Sequence, residues 1–387
     1  MKKIAVLTAT RAEYGLLKNV ILKLKATKEF EVEVLVTGMH LSPEFGYTYK
    51  EIEQDGIRIN KKIDILLSGD SPACISKSMG LAIMGFGEYF AESTPDMLVV
   101  LGDRYETLAV CIAAMNQRIP IAHLYGGETT EGAVDESIRH SITKMSYLHF
   151  TSTEAYRNRV IQLGEHPDRV FTVGAMGIEN IKSVELLSKK ELEESIQYKM
   201  EKPFVVVTFH PVTLENNTSK EQCQELLDAI EQFPHLQFVI TRANADADGR
   251  VINRMLEEYV EKKENCFLIA SLGMQRYLSA LKYCAFVMGN SSSGIVEAPS
   301  FKIPTVNIGE RQKGRIQAES VINCEPRTET IISAMNLALK WKKENVLDEV
   351  TNPYGDGNTS NKIVDCICNA FEQGEISIKK KFFDMEG

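Results

Sequence analysis

Short apolar runs alternate with helical patterns along both halves of the 387-residue chain, and this alternation restricts the fold more than any other feature. In the first half the runs are 3–8, 31–37, 59–66, 97–101, 119–124, 148–151 and 170–173. In the second half they are 204–209, 238–241, 267–270, 286–288 and 304–308. Strands that alternate with helices form parallel sheets, because each helical crossover returns the chain to the same end of the sheet. The sequence therefore predicts an α/β fold with doubly wound, Rossmann-like sheets.

The two sets of strands predict two domains. Between them, residues 174–202 are charged and helical in pattern and carry no strong strand signal, so we place the interdomain linker there. A chain of this length can bury a separate core in each domain. We predict an N-terminal domain over 1–175, a C-terminal domain over 200–360, and a C-terminal helix at about 361–373 that packs back on the first domain. The basic tail beyond this helix is expected to be frayed.

Composition and charge limit the class of function. Hydrophobic residues make up 44% of the chain and charged residues 25%, which is typical of a soluble globular protein. The net charge of −9 argues against extended nucleic-acid binding and restricts any phosphate site to a local basic pocket. The eight cysteines show no paired or zinc-like spacing, which indicates reduced thiols, a cytoplasmic location and no bound metal. No apolar run is long enough for a signal peptide or a membrane span, so no membrane partner is expected.

Acidic residues follow two neighbouring predicted strands. Asp103 comes soon after the strand at 97–101, Glu128 lies in the loop after the strand at 119–124, and Asp135 lies at the start of the next helix. Ligands of open α/β sheets bind at the carboxyl ends of the strands. The convergence of these carboxylates at adjacent strand ends therefore predicts an active site.

Each of these residues also has a simpler interpretation. Asp103 and Asp135 are natural helix N-caps, and Glu128 can accept hydrogen bonds from backbone N–H groups of its loop. Asp135 and Arg139 are four residues apart and can form a solvated pair on the helix surface. His123 can be a packed strand histidine. Only the convergence of several such groups favours the catalytic interpretation.

The loop GNSSSG at 289–294 is the strongest phosphate-binding signal in the chain. Its small residues let backbone N–H groups converge, and serine hydroxyls at a helix N-terminus add donors. No Gly-Lys-Ser/Thr follows, so the loop is not a Walker motif, and the first strand lacks the GxGxxG motif of dinucleotide sites. Arg11 and the basic loop 311–315 offer positive charge to a phosphate, although both can equally be surface charge. His210 ends another strand, and Glu297, about one turn into the helix after the loop, can accept both ribose hydroxyls.

These residues fall within motifs that together resemble the hydrolysing UDP-N-acetylglucosamine 2-epimerases, enzymes of sialic-acid and related nonulosonic-acid biosynthesis. In order along nearly the whole chain, the matching motifs are TATRAEYGLL (8–17), TGMH (37–40), VLGDRYE (100–106), HLYGGE (123–128), DESIRHSITKMS (135–146), FHPVT (209–213), GNSSSGIVEAPS (289–300) and NIGERQKGR (307–315). The resemblance implies a GT-B-type fold with two Rossmann-like domains and an active site in the cleft between them.

The resemblance also implies roles for individual residues. Asp103 and Asp135 match the family's catalytic acids. The residues that match its nucleotide-sugar ligands are Arg11, Arg104, His210, Asn244, Ser291, Ser292, Glu297 and Arg311. Many members read HIEGGE where this chain reads HLYGGE, so that Tyr125 replaces a catalytic glutamate. Either Tyr125 takes over its acid/base or orienting role, or Glu128 or a neighbour does.

The implied reaction converts UDP-N-acetylglucosamine and water to N-acetylmannosamine and UDP. A base removes the proton from carbon 2 while UDP leaves carbon 1, and water then adds to the resulting glycal. The same reaction on UDP-N,N′-diacetylbacillosamine is the alternative, and a GT-B glycosyltransferase or a non-enzymatic UDP-sugar sensor is less favoured. The resemblance implies no cofactor, and we expect a homodimer or homotetramer.

Overall fold

The computed structural model of the protein describes residues 1–67, 69, 71–130, 134–211, 218–243, 249–355, 357–374, 376 and 378–385. The strands in these ranges are β1 (Lys2–Thr8), β2 (Phe30–Thr37), β3 (Lys61–Ile63), β4 (Met97–Leu101), β5 (Ile121–Leu124), β6 (Leu148–Thr151), β7 (Val170–Thr172), β8 (Phe204–Thr208), β9 (Gln237–Thr241), β10 (Cys266–Ile269), β11 (Phe286–Gly289), β12 (Thr305–Ile308) and β13 (Val321–Cys324).

The α-helices in the same ranges are α1 (Arg11–Ala26), α2 (Tyr49–Gln54), α3 (Pro72–Ser93), α4 (Tyr105–Asn116), α5 (Asp135–Met145), α6 (Glu154–Gln162), α7 (Met176–Ser183), α8 (Lys189–Ile196), α9 (Ser219–Glu231), α10 (Gly249–Val260), α11 (Gly273–Tyr283), α12 (Ser292–Val296), α13 (Thr328–Glu344) and α14 (Thr359–Glu372). No helix in the described part of the chain combines the length and the hydrophobicity that crossing a bilayer requires.

The predicted strands are confirmed, with small shifts at their ends and two larger differences. The run at 59–66 forms only the short edge strand β3. The strand β13 was not predicted, and it is a partly exposed edge strand of four residues. The helix α12 also ends at Val296, so Glu297 directly follows this helix instead of lying inside it.

The first sheet has seven parallel strands in the order β3-β2-β1-β4-β5-β6-β7. The strand order reverses between β1 and β4, which are neighbours. Alternate residues of β1 supply opposite faces, as the period of two along a strand requires. Ile4 and Val6 pack with α1 and α14, whereas Ala5 and Leu7 pack with α3 and α4. Both faces of the sheet are therefore buried.

The second sheet has six parallel strands in the order β10-β9-β8-β11-β12-β13 and reverses between β8 and β11. Val205 and Val207 of β8 pack with α9 and α13 on one face. Phe204 and Val206 pack with α8 and α11 on the other face. Each sheet is thus doubly wound, and the point of reversal is where such sheets bind ligands.

The chain separates into two compact units. Unit 1 contains residues 1–128, 135–179 and 354–387 and holds the first sheet. Unit 2 contains residues 129–134 and 180–353 and holds the second sheet. The helix α14 belongs to unit 1, where Ile363 and Ile367 join the core beside α1.

The tail after α14 packs against unit 1, so the expectation of a frayed tail is wrong. The backbone N–H of Phe383 donates to the carbonyl oxygen of Gly164 at 2.9 Å. Lys380 Nζ donates to Glu165 Oε2 at 2.7 Å and to the carbonyl oxygen of Ser146 at 2.8 Å. The side chain of Glu165 is fully buried, and such a carboxylate requires charged partners. One of those partners comes from the tail.

Candidate active site

In unit 1 the candidate side chains gather where the strand order reverses. Arg11 begins α1 just after β1, and Asp103 follows β4 through the turn at Gly102. β5, which precedes the loop 125–128, pairs with β4 on its other side. Three neighbouring strand ends therefore bring Arg11, Asp103 and the loop 125–128 to the same edge of the sheet.

Asp103 is held by a buried arginine. Arg139 Nε donates to Asp103 Oδ2 at 2.9 Å, and Arg139 Nη2 bonds the same oxygen. Arg139 Nη1 donates to Glu136 Oε2 at 2.8 Å and to the carbonyl oxygen of Glu128 at 2.7 Å. The side chain of Arg139 is 1% exposed, whereas that of Asp103 is 25% exposed. Asp103 thus presents a carboxylate at the edge of the sheet from a fully covered support.

The helix α5 corrects two expectations. It begins at Asp135, so Asp135 is its first residue instead of the cap that precedes it. Arg139, Ile142 and Thr143 form its buried face, so the interpretation of Asp135 and Arg139 as a solvated pair is wrong. The physical reason is that Arg139 finds carboxylate partners inside unit 1. Asp135 itself is partly exposed, and its catalytic role stays a prediction.

The loop after β5 requires a close backbone approach. Gly127 has φ +77°, and a Cβ there would lie 2.3 Å from the carbonyl oxygen of Tyr156, so that only glycine fits. Glu128 is 5% exposed, and its Oε1 accepts a hydrogen bond from Ser152 Oγ at 2.9 Å. The Glu128 side chain is therefore fixed to the end of β6 while its carbonyl is fixed to Arg139.

Tyr125 lies at the position where many hydrolysing UDP-N-acetylglucosamine 2-epimerases, the enzymes that this sequence resembles, have glutamate. It has φ +68°, a conformation that costs energy in a residue with a bulky side chain. Its hydroxyl accepts a hydrogen bond from the backbone N–H of Met176, the first residue of α7, at 2.7 Å. Its ring packs against the core of unit 1. The hydrogen bond of the hydroxyl satisfies one of the N–H groups that a helix leaves free at its start.

His123 supports the turn that leads into Asp103. Its Nε2 lies 2.8 Å from the carbonyl oxygen of Gly102, and Thr143 Oγ1 lies 3.3 Å from its Nδ1. A carbonyl can only accept, so Nε2 carries the proton and Nδ1 accepts from the hydroxyl. Burial lowers the pKa of His123 to about 3, so the ring is neutral. His123 is a packed strand histidine.

A second cluster of charged side chains lies at the same edge of the sheet. Arg104 Nε donates to Oε1 of the fully buried Glu106 at 3.0 Å. Glu13 Oε2 accepts from the backbone N–H groups of Ala9 at 2.7 Å and Thr10 at 3.2 Å, which completes the capping box of α1. The other oxygens, Glu106 Oε2 and Glu13 Oε1, are buried without a hydrogen-bond partner among the described residues. Burial raises the pKa of Glu13 to about 7, although the charge of Arg104 opposes this.

The side chain of Arg11 is more exposed than those of Asp103 and Arg104. Its Nε lies 2.9 Å from Glu51 Oε1 of α2, and its side chain is 39% exposed. An arginine at this exposure can exchange its carboxylate partner for another anion at little cost, because exposed ion pairs are weak. Its position at the start of α1 suits a phosphate.

In unit 2 the loop 289–294 follows β11 at the reversal of the second sheet. Gly289 has φ +130°, and a Cβ there would lie 1.9 Å from the carbonyl oxygen of Thr208 in β8, so the two strand ends require glycine. Ser291 caps α12, and its Oγ accepts from the backbone N–H of Ser293 at 3.4 Å. Ser292 is the first residue of that helix.

Asn290 joins three strand ends of the second sheet. Its side chain accepts from the backbone N–H of His210 at 2.7 Å and donates to the carbonyl oxygen of His210 at 2.8 Å. Its own carbonyl oxygen accepts from Arg311 Nη1 at 3.0 Å and from Gln312 Nε2 at 2.9 Å. His210 and Arg311 are thereby brought beside the serine loop. Burial, and to a smaller extent the positive charge of Arg311, lowers the pKa of His210 to about 3.

Two other predicted ligands of unit 2 have different outcomes. Glu297 is partly buried, with its Oε2 atom covered, and desolvation raises its pKa. Its Oε2 has no hydrogen-bond partner among the described residues, so it remains an acceptor for a donor such as a hydroxyl group. Asn244 lies outside the described residues.

Three further residues hold the candidate side chains in place, and the sequence analysis did not select them: Arg139 bonds Asp103, Glu106 bonds Arg104, and Asn290 bonds His210. The signal for Arg139 was its position three and four residues before the buried Ile142 and Thr143, which places it on the inner face of α5. In the described parts of the chain, no group of three or more His, Cys, Asp or Glu side chains is arranged to hold a metal ion.

Comparisons with known proteins bear on the family and the fold of the chain. The family model described as UDP-N-acetylglucosamine 2-epimerase matches residues 22–368. The chain is 45% identical over 325 residues to GDP/UDP-N,N′-diacetylbacillosamine 2-epimerase (hydrolyzing) of Campylobacter jejuni. The aligned region covers 84% of each of the two chains. It is 42% identical to polysialic acid biosynthesis protein P7 of Escherichia coli, over 92% of this chain and 90% of that one. The S. aureus MnaA structure with UDP shares the fold, with a TM-score of 0.80 at 20% identity over 100% of both chains. The predicted two-domain α/β fold is confirmed.

Proposed function

The chain belongs to the UDP-N-acetylglucosamine 2-epimerase family, and from this premise we propose that it is a hydrolysing UDP-sugar 2-epimerase. It converts UDP-N-acetylglucosamine and water to N-acetylmannosamine and UDP, in the biosynthesis of sialic or related nonulosonic acids. The observation that carries this proposal is Asp103, a partly exposed carboxylate on a buried support, at the reversal point of a doubly wound sheet. Simple hydrolysis of a sugar diphosphate does not need a base directed at a C–H bond.

The reaction begins with elimination. Asp103 or Asp135 takes the proton from carbon 2, and the electron pair of that C–H bond forms the double bond to carbon 1 as the bond to the diphosphate breaks. UDP leaves with the electron pair of the broken bond, and the product is a glycal. The second carboxylate then assists the addition of water, so that carbon 1 gains hydroxyl and carbon 2 gains a proton on the opposite face. An acid/base group in the correct position contributes about 10²–10⁴-fold in rate.

Tyr125 and Glu128 remain the two candidates for the role of the glutamate that Tyr125 replaces. The hydroxyl of Tyr125 bonds the start of α7, and the carboxylate of Glu128 bonds Ser152. Both contacts support an orienting role, in which the two residues hold the loop 125–128 against the sugar. We assign proton transfer to Asp103 and Asp135.

Apart from Asn244, which lies outside the described residues, the groups proposed for the nucleotide are basic or hydrogen-bonding residues near the reversal points of the two sheets. Ser291, Ser292 and Arg311 bind the diphosphate, whose negative charge grows as the bond to carbon 1 breaks. Glu297 accepts the ribose hydroxyls. The remaining proposed ligands are Arg11, Arg104, His210 and Asn244.

UDP-N,N′-diacetylbacillosamine is the second candidate substrate. The observation that favours it is the relative from Campylobacter jejuni, which shares 45% identity and carries this sugar in its name. The same name includes GDP, so GDP-sugars belong in the comparison. Rates measured side by side on these nucleotide sugars identify the substrate.

Incubation with UDP-N-acetylglucosamine alone in D₂O tests the proposed reaction. We expect UDP and a free manno-configured sugar with deuterium at carbon 2, because that carbon is deprotonated and then protonated from solvent. Mass spectrometry and proton NMR of the sugar provide the measurement. A gluco-configured sugar with its original hydrogen means simple hydrolysis and overturns the epimerase proposal. Absence of nucleoside diphosphate release from every nucleotide sugar favours a transferase that requires an acceptor, or a sensor.

The oligomeric state and the location of the protein are also part of the proposal. We propose a homodimer or homotetramer in the cytoplasm. Light scattering after size-exclusion chromatography measures the mass against the 43.4 kDa of one chain.

A further inference from the structure

We propose that Arg139 is a positioning residue for the epimerisation, and that it joins Asp103, the loop 125–128 and the start of α5 into one rigid frame. This inference rests on the proposed function, because it concerns the base of that reaction. Arg139 lies within the motif DESIRHSITKMS, but the inference rests on the contacts of its guanidinium group.

The contacts of Arg139 reach three separate segments of unit 1. Nε and Nη2 bond Asp103 Oδ2 after β4, and Nη1 donates to the carbonyl oxygen of Glu128 after β5. Nη1 also donates to Glu136 in the first turn of α5. The planar guanidinium group fixes the angles between these bonds, whereas a lysine ammonium would not. A shift of any one segment therefore disturbs the other two.

The distribution of exposure shows which group is the support and which group faces the solvent. The side chain of Arg139 is 1% exposed, whereas those of Asp103 and Glu136 are 25% and 27% exposed. A buried guanidinium is costly unless its charge is balanced, so it holds its carboxylate partners tightly. Asp103 can thus meet a ligand on its open side while its direction is fixed from the covered side.

Elimination makes strong demands on the direction of the base. The carboxylate has to approach one C–H bond of the sugar, and a displacement of about 1 Å can cost about 100-fold in rate. Binding of UDP makes no such demand on Asp103. A positioning role therefore predicts a loss in kcat without a matching loss in nucleotide affinity.

Arg139→Lys is the first test, because it keeps the charge and removes the planar fork. We expect kcat to fall about 100-fold, whereas the Kd of UDP changes less than about threefold. Arg159→Lys is the matched control. Arg159 Nη1 donates to the carbonyl oxygen of Gly127 in the same loop at 2.6 Å, and that bond ends on a carbonyl instead of a carboxylate. We expect this control to keep kcat within about threefold, because an ammonium can also donate to that carbonyl.

A double-mutant cycle tests whether Arg139 acts through Asp103. In the Asp103→Asn background we expect Arg139→Lys to lower kcat by no more than about threefold, because the carboxylate that it positions is already gone. Losses that multiply independently would overturn the positioning role.

Glu136→Gln keeps the inference testable if Arg139→Lys does not fold. Glu136 is partly exposed, and the change removes one of the carboxylates that bind Arg139 while Asp103 stays in place. We expect kcat to fall about tenfold with unchanged UDP affinity, and unchanged kcat contradicts the inference.

The outcomes separate this inference from the proposed function. A wild-type protein that releases no nucleoside diphosphate from any of the nucleotide sugars overturns both. An active wild type with Arg139→Lys as active as Arg159→Lys overturns only the role of Arg139.

Discussion

Asp103 and Asp135 carry the proton transfers of the proposed reaction, so their carboxylates are the residues to change first. Asp103→Asn and Asp135→Asn keep the shape of the side chain and remove its basicity. We expect each variant to lose about 10²–10⁴-fold in kcat while UDP affinity is retained. UDP release and calorimetry measure the two effects.

Asp168→Asn is the control for these two variants. Its side chain is 85% exposed and lies beside His166, so we expect unchanged turnover. If Asp103→Asn or Asp135→Asn keeps more than about a tenth of the wild-type kcat, the acid/base role of that residue is wrong.

Glu13 predicts a pH dependence of stability. Burial raises its pKa from 4.5 to about 7, so folding favours the protonated form. The stability that this group contributes is complete below pH 4.5 and is lost as the pH rises through about 7. Each unit of separation between the folded and unfolded pKa corresponds to about 1.4 kcal/mol. We expect Glu13→Gln to flatten the pH dependence of the free energy of unfolding in this range. Glutamine can still accept hydrogen bonds at the capping-box position.

Glu191→Gln is a control at the same position of another capping box. Glu191 accepts from Ser188 in the cap of α8, and these hydrogen bonds lower its pKa. Its change is expected to leave the loss of stability between pH 4.5 and 7 intact. Denaturant titrations across this range measure both variants. If the free energy of unfolding changes equally with pH in the wild type and in Glu13→Gln, Glu13 is ionised in the folded protein.

At the scale of the elements, the tail after α14 is attached through Glu165. This carboxylate is fully buried and accepts from Lys380 at 2.7 Å, from Lys144 at 2.6 Å and from His149 at 3.1 Å. Burial alone would raise the pKa of Glu165, but these hydrogen bonds outweigh it and lower the pKa to about 2. The tail therefore depends on an ionised group inside unit 1.

Glu165→Gln is expected to destabilise the protein by about 1–3 kcal/mol, because it removes the buried negative charge that accepts hydrogen bonds from Lys380, Lys144 and His149. Its contribution is present above the ordinary pKa of 4.5 and is lost as the pH falls towards 2. Glu154→Gln is the control, since Glu154 is 63% exposed in its pair with Arg157 and such pairs contribute less than about 1 kcal/mol. Thermal unfolding at pH 7 and pH 3 provides the comparison. Equal effects of the two changes would mean that the tail contact adds nothing to the stability of unit 1.

At the scale of the whole molecule, the proposed catalytic carboxylates lie in unit 1 and the proposed diphosphate ligands lie in unit 2. Nucleotide binding and chemistry are therefore separable by mutation. Ser292→Ala and Arg311→Ala are each expected to weaken UDP binding by about 1.5–3 kcal/mol, because their hydrogen bonds to a diphosphate are charge-assisted. Asp103→Asn is expected to leave UDP binding unchanged.

Lys313→Ala is the matched control in the loop of Arg311. Its side chain is 55% exposed and pairs with Glu310, so we expect an unchanged Kd for UDP. Calorimetry measures the Kd of UDP for the wild type and for these four variants. Unchanged affinity in both Ser292→Ala and Arg311→Ala would move the diphosphate site away from the loop 289–294.

The alternation of apolar runs and helical patterns determined the architecture, because burial of a parallel strand depends on the residues of that strand itself. Runs such as 97–101 and 148–151 therefore coincide with β4 and β6. The same local rule placed Asp103 and the loop 289–294 at strand ends. It did not select β13, a four-residue edge strand that is only partly buried.

Tertiary structure alone decided which charges are buried together. Arg139 lies on the face of α5 that the spacing turns inward, and Glu165 lies in the loop after α6, but the sequence pattern gives no partner for either charge. They are buried because partners such as Asp103, 36 residues from Arg139, and Lys380, 215 residues from Glu165, reach them in the fold. The hydroxyl of Tyr125 reaches Met176 in the same way, across 51 residues. Local periodicity carries no information about partners so distant along the chain, since packing of the whole unit determines where each side chain can place its charge.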